Sequence, residues 1–163
     1  MITAVAAIDK NRGIGKNGEL LIHIKEDMKH FSSLTTGHTV VMGRKTLESF
    51  PGKKPLKNRK NVVLTRDPSF TCPGAVILLS IGELLSYISK ETDEVFIIGG
   101  GEIYSLLLPV CDRMILTQID KEFDADAFFP EFDESEWQKN VLKTLSTESG
   151  ISYSFVEYKK KQR

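Results

Sequence analysis

The fold is indicated most directly by one stretch of sequence, Val95-Phe96-Ile97-Ile98-Gly99-Gly100-Gly101-Glu102-Ile103-Tyr104. Its apolar first part is typical of a strand in the middle of a parallel sheet that is covered on both faces. A helical pattern follows directly over residues 102–108. Three consecutive glycines at this junction cost conformational entropy, which predicts a close approach of the backbone to a ligand, such as a pyrophosphate at the start of the helix.

The same alternation of strand and helix extends over the rest of the chain. Short β-branched runs predict strands at residues 2–8, 39–42, 61–65, 75–79, 94–98, 113–119 and 151–158. Helices are predicted at about residues 25–35, 45–50, 81–89 and 102–108, with Ser80 as the cap of the third. This pattern predicts an α/β domain with a mostly parallel central sheet of about eight strands and about four flanking helices. The last two predicted strands follow each other without a helix, so we expect an antiparallel C-terminal edge hairpin.

The composition is that of one globular domain over residues 1–163. Of these residues 40% are hydrophobic and 27% charged, and 22 basic side chains balance 22 acidic ones. A chain of this size buries a sizeable core, which excludes intrinsic disorder and a collagen-like architecture. A net charge of zero gives the whole molecule no electrostatic attraction to nucleic acid or to an anionic membrane, so we expect neither as a partner.

The neutrality is a cancellation between two segments of opposite charge. Residues 44–66 carry eight basic side chains and one acidic side chain, an excess of seven positive charges. Residues 120–136 carry eight acidic side chains and one basic side chain, an excess of seven negative charges. The basic segment predicts a local site for small anions.

The cysteines and histidines form no pattern that indicates a disulfide framework or a metal site. Cys72 and Cys111 lie far apart without a CxxC motif, so we expect reduced thiols. His23, His30 and His38 show no zinc-ligand spacing, so we expect surface histidines and no metal. The N-terminal segment lacks the features of a signal peptide, and no apolar stretch is long enough for a membrane span. Together these observations favour a cytoplasmic protein.

Two more glycine-containing segments lie near the ends of predicted strands, where open α/β sheets bind their ligands. Residues 13–18 match GxGxxG, but no helix opens on them, so we reject a Rossmann motif. Two interpretations stay open for this segment: a flexible loop that folds over a ligand, or an ordinary connecting loop. The turn Gly43-Arg44-Lys45-Thr46 offers two cations and a hydroxyl group to a phosphate at the start of a helix.

Phosphate-binding features at several strand ends predict a dinucleotide that lies across them. Arg44, Thr65 and Arg66 suit an additional phosphate, which favours NADPH over NADH as the cofactor. The alternative is that each of these cations is only a solvated surface residue.

One acidic residue interrupts the apolar face of the first predicted helix. Ile24, Asp27, Met28 and Phe31 are spaced i, i+3, i+4 and i+7, so Asp27 stands where an apolar residue is expected. A carboxylate there is partly desolvated, which raises its pKa unless a donor-rich ligand such as a pterin binds both oxygens. Position alone leaves a second role open, because acidic residues also stabilise the first turn of a helix. His30 and the other neighbours of this stripe are expected on the outer face.

Taken in order, these stretches resemble the dihydrofolate reductase family over essentially the whole chain. The matching residues are Ala6-Ala7, Gly13-Ile14-Gly15, Asp27 with Phe31, Val41-Met42-Gly43-Arg44-Lys45-Thr46, Pro55-Leu56, Arg59-Lys60-Asn61, Ile98-Gly99-Gly100-Gly101-Glu102-Ile103-Tyr104, Thr117-Gln118-Ile119 and Phe129-Pro130. The resemblance implies a monomer that uses NADPH to reduce 7,8-dihydrofolate to 5,6,7,8-tetrahydrofolate. The hydride would go to C6 of the pterin, and water would deliver the proton to N5.

The resemblance also implies roles for individual residues. Asp27, Thr117 and Leu20 would form the catalytic group, in which Asp27 binds the 2-amino group and N3 of the pterin with support from Thr117. The implied substrate-binding residues are Val5, Asp27, Met28, Phe31, Phe50, Lys54, Leu56, Arg59, Ile98 and Thr117. The implied cofactor-binding residues are Ala7, Ile14, Gly15, Gly18, Gly43, Arg44, Lys45, Thr46, Thr65, Arg66, Ile98, Gly99, Gly100, Gly101, Glu102, Ile103 and Tyr104.

Two larger segments take their roles from the same resemblance. Residues 38–109, approximately, would form an adenosine-binding subdomain within the single domain. The loop of residues 11–24 would close over the nicotinamide. Arg59 would pair with the α-carboxylate of the glutamate tail, because its planar fork matches a carboxylate, and Lys54 would assist it.

The chain departs from the family pattern at a few positions. Leu21-Ile22 stands where the family usually has Pro-Trp, and Lys25 stands where a second proline is common. Glu102 replaces a frequent cation, and Ala125 replaces a frequent glycine before the aspartate of the acidic loop.

Two other functions therefore stay open beside a dihydrofolate reductase. One is a related pyrimidinone reductase of riboflavin synthesis, which does not account for Asp27 and Arg59 together. The other is a folate-binding or NADPH-binding protein without turnover, suggested by the missing tryptophan and proline.

Overall fold

The structure is a computed structural model that describes residues 1–162, and Arg163, the last residue of the predicted domain, lies outside the described residues. The strands are β1 (Ile2–Ile8), β2 (Gly13–Lys16), β3 (Glu19–Leu20), β4 (Thr39–Gly43), β5 (Lys60–Leu64), β6 (Ala75–Leu78), β7 (Val95–Gly99), β8 (Arg113–Ile119), β9 (Ala127–Phe128), β10 (Trp137–Ser146) and β11 (Ser152–Lys160). Eight of them form one central sheet in the order β10-β11-β8-β1-β7-β4-β5-β6.

The central sheet is mostly parallel, as predicted. All neighbours from β8 to β6 pair in parallel, whereas β11 pairs antiparallel with both β8 and β10. The helices are α1 (Lys25–Thr35), α2 (Arg44–Glu48), α3 (Ile81–Ser89) and α4 (Gly101–Leu107). Ser80 caps α3, and its side chain accepts a hydrogen bond from the backbone N–H of Glu83 at 3.1 Å. The predicted α/β class, the strand number and the helix number are confirmed.

The predicted antiparallel hairpin at the C-terminal edge is present, but its strands are β10 and β11. The strand predicted at residues 151–158 does pair antiparallel with β8, yet it is not at the edge of the sheet, because β10 pairs with its other side. The sequence pattern did not indicate β10. Its side chains are exposed along nearly the whole strand, so it carries none of the apolar alternation that marks a half-buried strand.

A second, small sheet corrects the description of the glycine loop. β2 pairs antiparallel with β3 on one side and with β9 on the other. Residues 13–20 are thus mostly β-structure rather than an irregular loop, and they are joined to the acidic segment of residues 120–136. These strands are only two to four residues long, and β2 contains two glycines, so they produce no periodic pattern in the sequence.

The core lies on both faces of the central sheet. The largest apolar cluster joins β1, β7 and β8 to α3, α4 and the aromatic side chains of Phe129, Trp137 and Tyr158. A second cluster on β4 and β5 includes Leu47 and Phe96. Within residues 1–162, no helix has the length and apolar character needed to cross a bilayer.

Candidate active site

The carboxyl ends of β1, β7 and β4 meet at one edge of the central sheet. β7 lies between β1 and β4, although β4 is the next strand of this sheet after β1 in the chain, so the direction of winding reverses at this point. Open α/β sheets bind their ligands outside the carboxyl ends of the strands at such a reversal. We therefore expect the predicted site residues to meet at this edge.

Asp27 and Thr117 lie in direct contact. Asp27 is in the first turn of α1, and Thr117 is in β8, where it is buried and pairs with Ala7 of β1. The Thr117 hydroxyl group donates a hydrogen bond to Oδ1 of Asp27 at 2.5 Å. A strand residue that is fixed on both sides by the sheet thus determines the position of a half-buried carboxylate.

Three influences act on the pKa of Asp27. Burial is the largest and raises the pKa above its ordinary value of 3.8, because the charged form loses hydration. The hydrogen bond from Thr117 and the proximity of His30 both lower it, but they do not cancel the effect of burial. Asp27 is thus a carboxyl group that favours its protonated form more than a surface aspartate does, unless a cationic or donor-rich group binds it.

His30 contradicts the prediction of a surface histidine on the outer face of α1. Its ring stacks on Phe155 of β11 with 4.0 Å between the ring centroids, and its Nε2 atom is buried without a hydrogen-bond partner among the described residues. Burial lowers the pKa of His30, and the charge of Asp27 one turn earlier opposes that shift. The prediction fails because β11 packs against this side of the helix, a contact between distant segments that helical spacing does not reveal.

Most of the predicted pterin-lining side chains belong to one apolar cluster. Around the buried core of β4 and β5 it groups Val5, Phe31, Phe50, Leu56 and Ile98. Four of these side chains are only partly buried, so the cluster presents an apolar surface beside Asp27's helix. Met28 is the exception: it was expected on the packed face of α1, but it is 55% exposed and packs in none of the clusters of the described residues.

Arg59 is held near the end of the same helix. Its Nη1 donates to the hydroxyl group of Thr35 at 3.1 Å, its Nε donates to the carbonyl of Lys57 at 2.9 Å, and its guanidinium carbon lies 6.0 Å from the centre of the Phe31 ring. Partial burial lowers the pKa of Arg59 from its usual value. Lys54 lies exposed on the preceding loop. The surrounding residues therefore fix the orientation of Arg59, whereas the side chain of Lys54 extends into solvent.

The structure gives a reason for two of the three glycines at the end of β7. Gly99 has a φ of 130°, a backbone conformation that other residues rarely adopt. A Cβ atom on Gly101 would lie 2.8 Å from the carbonyl oxygen of Phe128, too close for any side chain. The protein's own packing therefore requires these two glycines. A Cβ atom on Gly100 would meet no such obstacle, because its nearest neighbour would be Oγ1 of Thr46 at 3.6 Å.

Tyr104 and Ile103 anchor α4 behind this turn. The Tyr104 hydroxyl group donates to the carbonyl of Val5 in β1 at 2.5 Å, and burial raises its pKa. Ile103 Cγ1 lies 3.1 Å from the position that a Cβ atom on Gly43 would take, so the turns after β4 and β7 pack closely together. Both residues were predicted to contact the cofactor, and in the structure both are buried.

Two of the predicted phosphate-binding cations are paired with acidic side chains. Arg44 forms ion pairs with Glu48 at 3.3 Å and with Asp67 at 3.1 Å, and it lies over the Phe70 ring. Arg66 is 94% exposed and pairs with Glu102 at 3.4 Å. Asp67 was not predicted at this site. Its position two residues after Thr65, at the end of a strand, was the available signal.

The hydroxyl groups and the remaining cation of this region differ in burial. Thr65 is buried and its Oγ1 accepts a hydrogen bond from the backbone N–H of Asp67 at 3.2 Å. Thr46 is half-buried beside Gly99 and Gly100, and Lys45 is exposed. Cations and hydroxyl groups thus follow one another along the carboxyl ends of β4 and β5.

The segment from β2 to β3 carries the remaining predicted residues. Gly15 pairs with both Leu20 and Ala127, Gly18 forms the turn between β2 and β3 with a φ of 80°, and Ile14 packs against the main core. Leu20 was predicted in the catalytic group, but it is 53% exposed and belongs to none of the buried clusters of residues 1–162.

Comparisons with known proteins find matches that cover nearly the whole chain. A family model described as dihydrofolate reductase matches residues 1–160. The chain is 40% identical over 168 residues to a dihydrofolate reductase of Bacillus subtilis, covering 99% of this chain and 95% of that protein. It is 36% identical over 163 residues to a dihydrofolate reductase of Staphylococcus aureus, covering 99% of each. A solved structure of dihydrofolate reductase from Enterococcus faecalis, complexed with NADP(H) and RAB-propyl, superposes with a TM-score of 0.91 at 34% identity and covers 99% of this chain and 97% of that one.

Proposed function

Because the chain belongs to the dihydrofolate reductase family, we propose how its own residues carry out the NADPH-dependent reduction of 7,8-dihydrofolate to 5,6,7,8-tetrahydrofolate. The single observation that carries the proposal is the hydrogen bond between Thr117 and Asp27, beside an apolar surface and at the edge of the sheet where its winding reverses. In the overall reaction NADPH and one proton are consumed for each dihydrofolate reduced.

The donor set at the strand ends fits the cofactor. Arg44, Lys45 and Arg66 supply positive charge, and Thr46 and Thr65 supply hydroxyl groups, along the carboxyl ends of β4 and β5. These groups match phosphates in charge and in hydrogen-bonding capacity. Arg44 and Arg66 would exchange ion pairs with Asp67 and Glu102 for contacts with phosphate. Residues 38–109 would form the adenosine-binding part of the domain.

Asp27 is the residue that we assign to the pterin. NADPH, when bound, supplies the hydride that goes to C6. The Asp27 carboxylate would accept hydrogen bonds from the 2-amino group and N3, a bidentate contact with adjacent N–H donors. This contact favours the protonated pterin, which accepts a hydride more readily, and it stabilises the ionised form of a carboxyl group that burial otherwise disfavours. Water would deliver the proton to N5.

The remaining assignments follow from contacts around Asp27. Thr117 is a positioning residue, because its hydroxyl group donates to one carboxylate oxygen and so orients Asp27, while each oxygen can still accept a hydrogen bond from the pterin. The cluster of Val5, Phe31 and its neighbours would pack against the aromatic parts of the substrate. Arg59 would pair with the α-carboxylate of the glutamate tail, for which Thr35 and the carbonyl of Lys57 already hold its guanidinium group.

The setting of the reaction is part of the proposal. Cys72 and Cys111 are free thiols, which is consistent with a reducing compartment, and we place the enzyme in the cytoplasm as a monomer. Its partners are then dihydrofolate and related small molecules rather than nucleic acids.

Steady-state oxidation of NADPH in the presence of dihydrofolate tests the proposed function. We expect turnover with NADPH, and weaker turnover with NADH at the same concentration. Asp27→Asn should lower kcat at pH 7 by about 10²-fold or more and should recover part of its activity at low pH, where the substrate arrives protonated. Glu26→Gln, an exposed neighbour on the same helix, serves as the matched control and should retain activity. Turnover of a pyrimidinone substrate instead, or binding of both ligands without turnover, would replace the proposal by one of its alternatives.

A further inference from the structure

A buried carboxylate lies outside the site described above, at the end of β1. Asp9 follows directly after this strand and is only 4% exposed. Its Oδ1 atom accepts hydrogen bonds from the backbone N–H groups of Asn11 at 2.8 Å and Gly13 at 2.7 Å, and its Oδ2 atom accepts one from Phe123 at 2.9 Å. In the described part of the chain Asp9 forms no ion pair, so backbone N–H groups alone balance its charge.

The three donors belong to two segments that are far apart in sequence. Asn11 and Gly13 lead into β2, whereas Phe123 lies in the acidic segment that leads into β9. Further hydrogen bonds join the same two segments: Asp126 N–H donates to the carbonyl of Gly15 at 2.9 Å, and Phe129 N–H donates to that of Arg12 at 2.7 Å. The three hydrogen bonds to Asp9 differ from these backbone contacts, because a buried side chain accepts them close to the start of both segments.

Gly13 packs closely against both Asp9 and the acidic segment. A Cβ atom on Gly13 would lie 2.6 Å from the Cβ atom of Ala125 and 3.0 Å from both carboxylate oxygens of Asp9. The glycine is therefore required by the close approach of Ala125 and of the Asp9 carboxylate. Both carboxylate oxygens are also needed as acceptors, because an N–H group that is buried or partly buried destabilises the fold when it loses its hydrogen-bond partner.

We propose that Asp9 is a positioning residue for the reduction of dihydrofolate: its carboxylate fastens the segment of residues 11–24 to residues 121–128 and so keeps that segment over the reacting groups. The proposal rests on the proposed function, because the segment is assumed to cover the nicotinamide and the pterin. It adds a residue that is not among those assigned to the substrate or to the cofactor. Asp9 acts through β2 and β3, and α1 with Asp27 begins soon after β3 ends.

Asp9→Asn is the informative substitution. An amide has one acceptor oxygen, so its NH2 group must face the N–H donors of one segment, and either Phe123 or the pair Asn11 and Gly13 loses its partner. We expect kcat to fall by about 10-fold to 100-fold, because a segment displaced by about 1 Å misplaces the reacting groups. KM for dihydrofolate should change much less. Asp120→Asn removes an exposed carboxylate from the same segment, where it pairs with the exposed Lys10, and should retain wild-type kcat.

Amide hydrogen exchange on the protein without ligands provides a measurement that does not depend on activity. In the wild type the amides of Asn11, Gly13 and Phe123 should be protected and should open with the same free energy. In Asp9→Asn at least one of them should lose protection, while buried amides of β4 and β7 keep theirs. Gly13→Ala, which leaves Asp9 intact but forces the segment away from Ala125, should reproduce the loss of kcat.

The outcomes separate this inference from the proposed function. Lost protection at these amides with unchanged kcat would overturn the role of Asp9 and leave the reductase intact. Rapid, uncorrelated exchange of the three amides in the wild type would also overturn it, even if Asp9→Asn does not fold. A wild-type protein that does not turn over dihydrofolate would instead contradict the proposed function, whatever the exchange results.

Discussion

The hydroxyl group of Thr117 donates a hydrogen bond to the carboxylate of Asp27, 90 residues away in the sequence. Thr117 is fixed in the middle of the sheet between β1 and β11, whereas Asp27 lies on a helix at the edge of the site. The bond therefore attaches a titrating group to a strand in the interior of the sheet. It also lowers a pKa that burial raises, so the ionisation of Asp27 depends directly on Thr117.

Substitution of Thr117 should change the titration of Asp27 in a predictable direction. Thr117→Val removes the hydroxyl group, so the pKa of Asp27 should rise further, and kcat/KM should fall by about 10-fold, the value of one hydrogen bond to a charged group. Thr117→Ser keeps the hydroxyl group and should remain close to the wild type. Carbon-13 NMR of the labelled aspartate carboxyl groups measures the titration. A midpoint that does not differ between the Val and Ser variants would contradict the assigned role.

The ionised carboxylate of Asp27 should lower the free energy of unfolding at neutral pH. Its pKa in the fold is raised above 3.8, so the folded state holds a proton that the unfolded state has already released, and stability falls as the pH rises from 3.8 through the folded pKa. Above that pKa the loss is constant. Asp27→Asn lacks the charge, so it should have a higher Tm than the wild type at pH 7, and the difference should shrink as the pH approaches 3.8. A lower Tm for the variant at pH 7 would show that the ionised carboxylate stabilises the fold.

The sequence predicted the elements whose pattern is set by burial within one segment. β1, β7 and β8 are largely buried strands, and α3 has both an apolar stripe and a capping serine, so their bounds agree to within a residue or two. β10 could not be predicted in this way, because an exposed edge strand is determined by its hydrogen bonds to β11 rather than by its side chains.

A site residue could be predicted only where the evidence for it lies within one helix, strand or turn. Asp27 was identified because it interrupts an apolar stripe, and its burial supports that reasoning. The stacking of His30 on Phe155, the ion pair between Arg44 and Asp67 and the three donors around Asp9 all join distant segments. Spacing along one helix or strand carries no information about such contacts.

His30 should destabilise the protein in mildly acidic solution. Burial lowers its pKa below 6.5, so the unfolded state takes up a proton first, and stability is lost as the pH falls from 6.5 towards the folded pKa. His30→Phe keeps a ring to stack on Phe155 and removes the unpartnered nitrogen, so this acid-side loss should disappear. Denaturant unfolding of both proteins at several pH values between about 4 and 7 measures the effect. Identical pH dependences of the unfolding free energy for wild type and His30→Phe would argue against burial as the cause.

Arg59 should contribute to binding of the glutamate tail more than to the chemical step. Arg59→Ala removes a hydrogen bond to a charged group, worth about 1.5–3 kcal/mol, so KM for dihydrofolate should rise by about 10-fold to 100-fold with a smaller change in kcat. Arg59→Lys keeps the charge but not the planar fork and should recover only part of the loss. Lys57→Ala, an exposed cation two residues earlier, is the control. If a pterin without the glutamate tail loses as much affinity as the full substrate, Arg59 acts on the fold and not on the tail.

The position of the transferred hydrogen in the product distinguishes reduction of dihydrofolate from any other consumption of NADPH. The reaction should be run with NADPH that carries deuterium in place of the transferred hydrogen at C4 of the nicotinamide, and the product should be analysed by NMR and mass spectrometry. We predict 5,6,7,8-tetrahydrofolate with one deuterium at C6, in amounts equal to the NADPH consumed, and about 10²-fold slower formation with Asp27→Asn at pH 7. Deuterium at another position, or consumption of NADPH without labelled tetrahydrofolate, would contradict the assignment of these residues to dihydrofolate reduction.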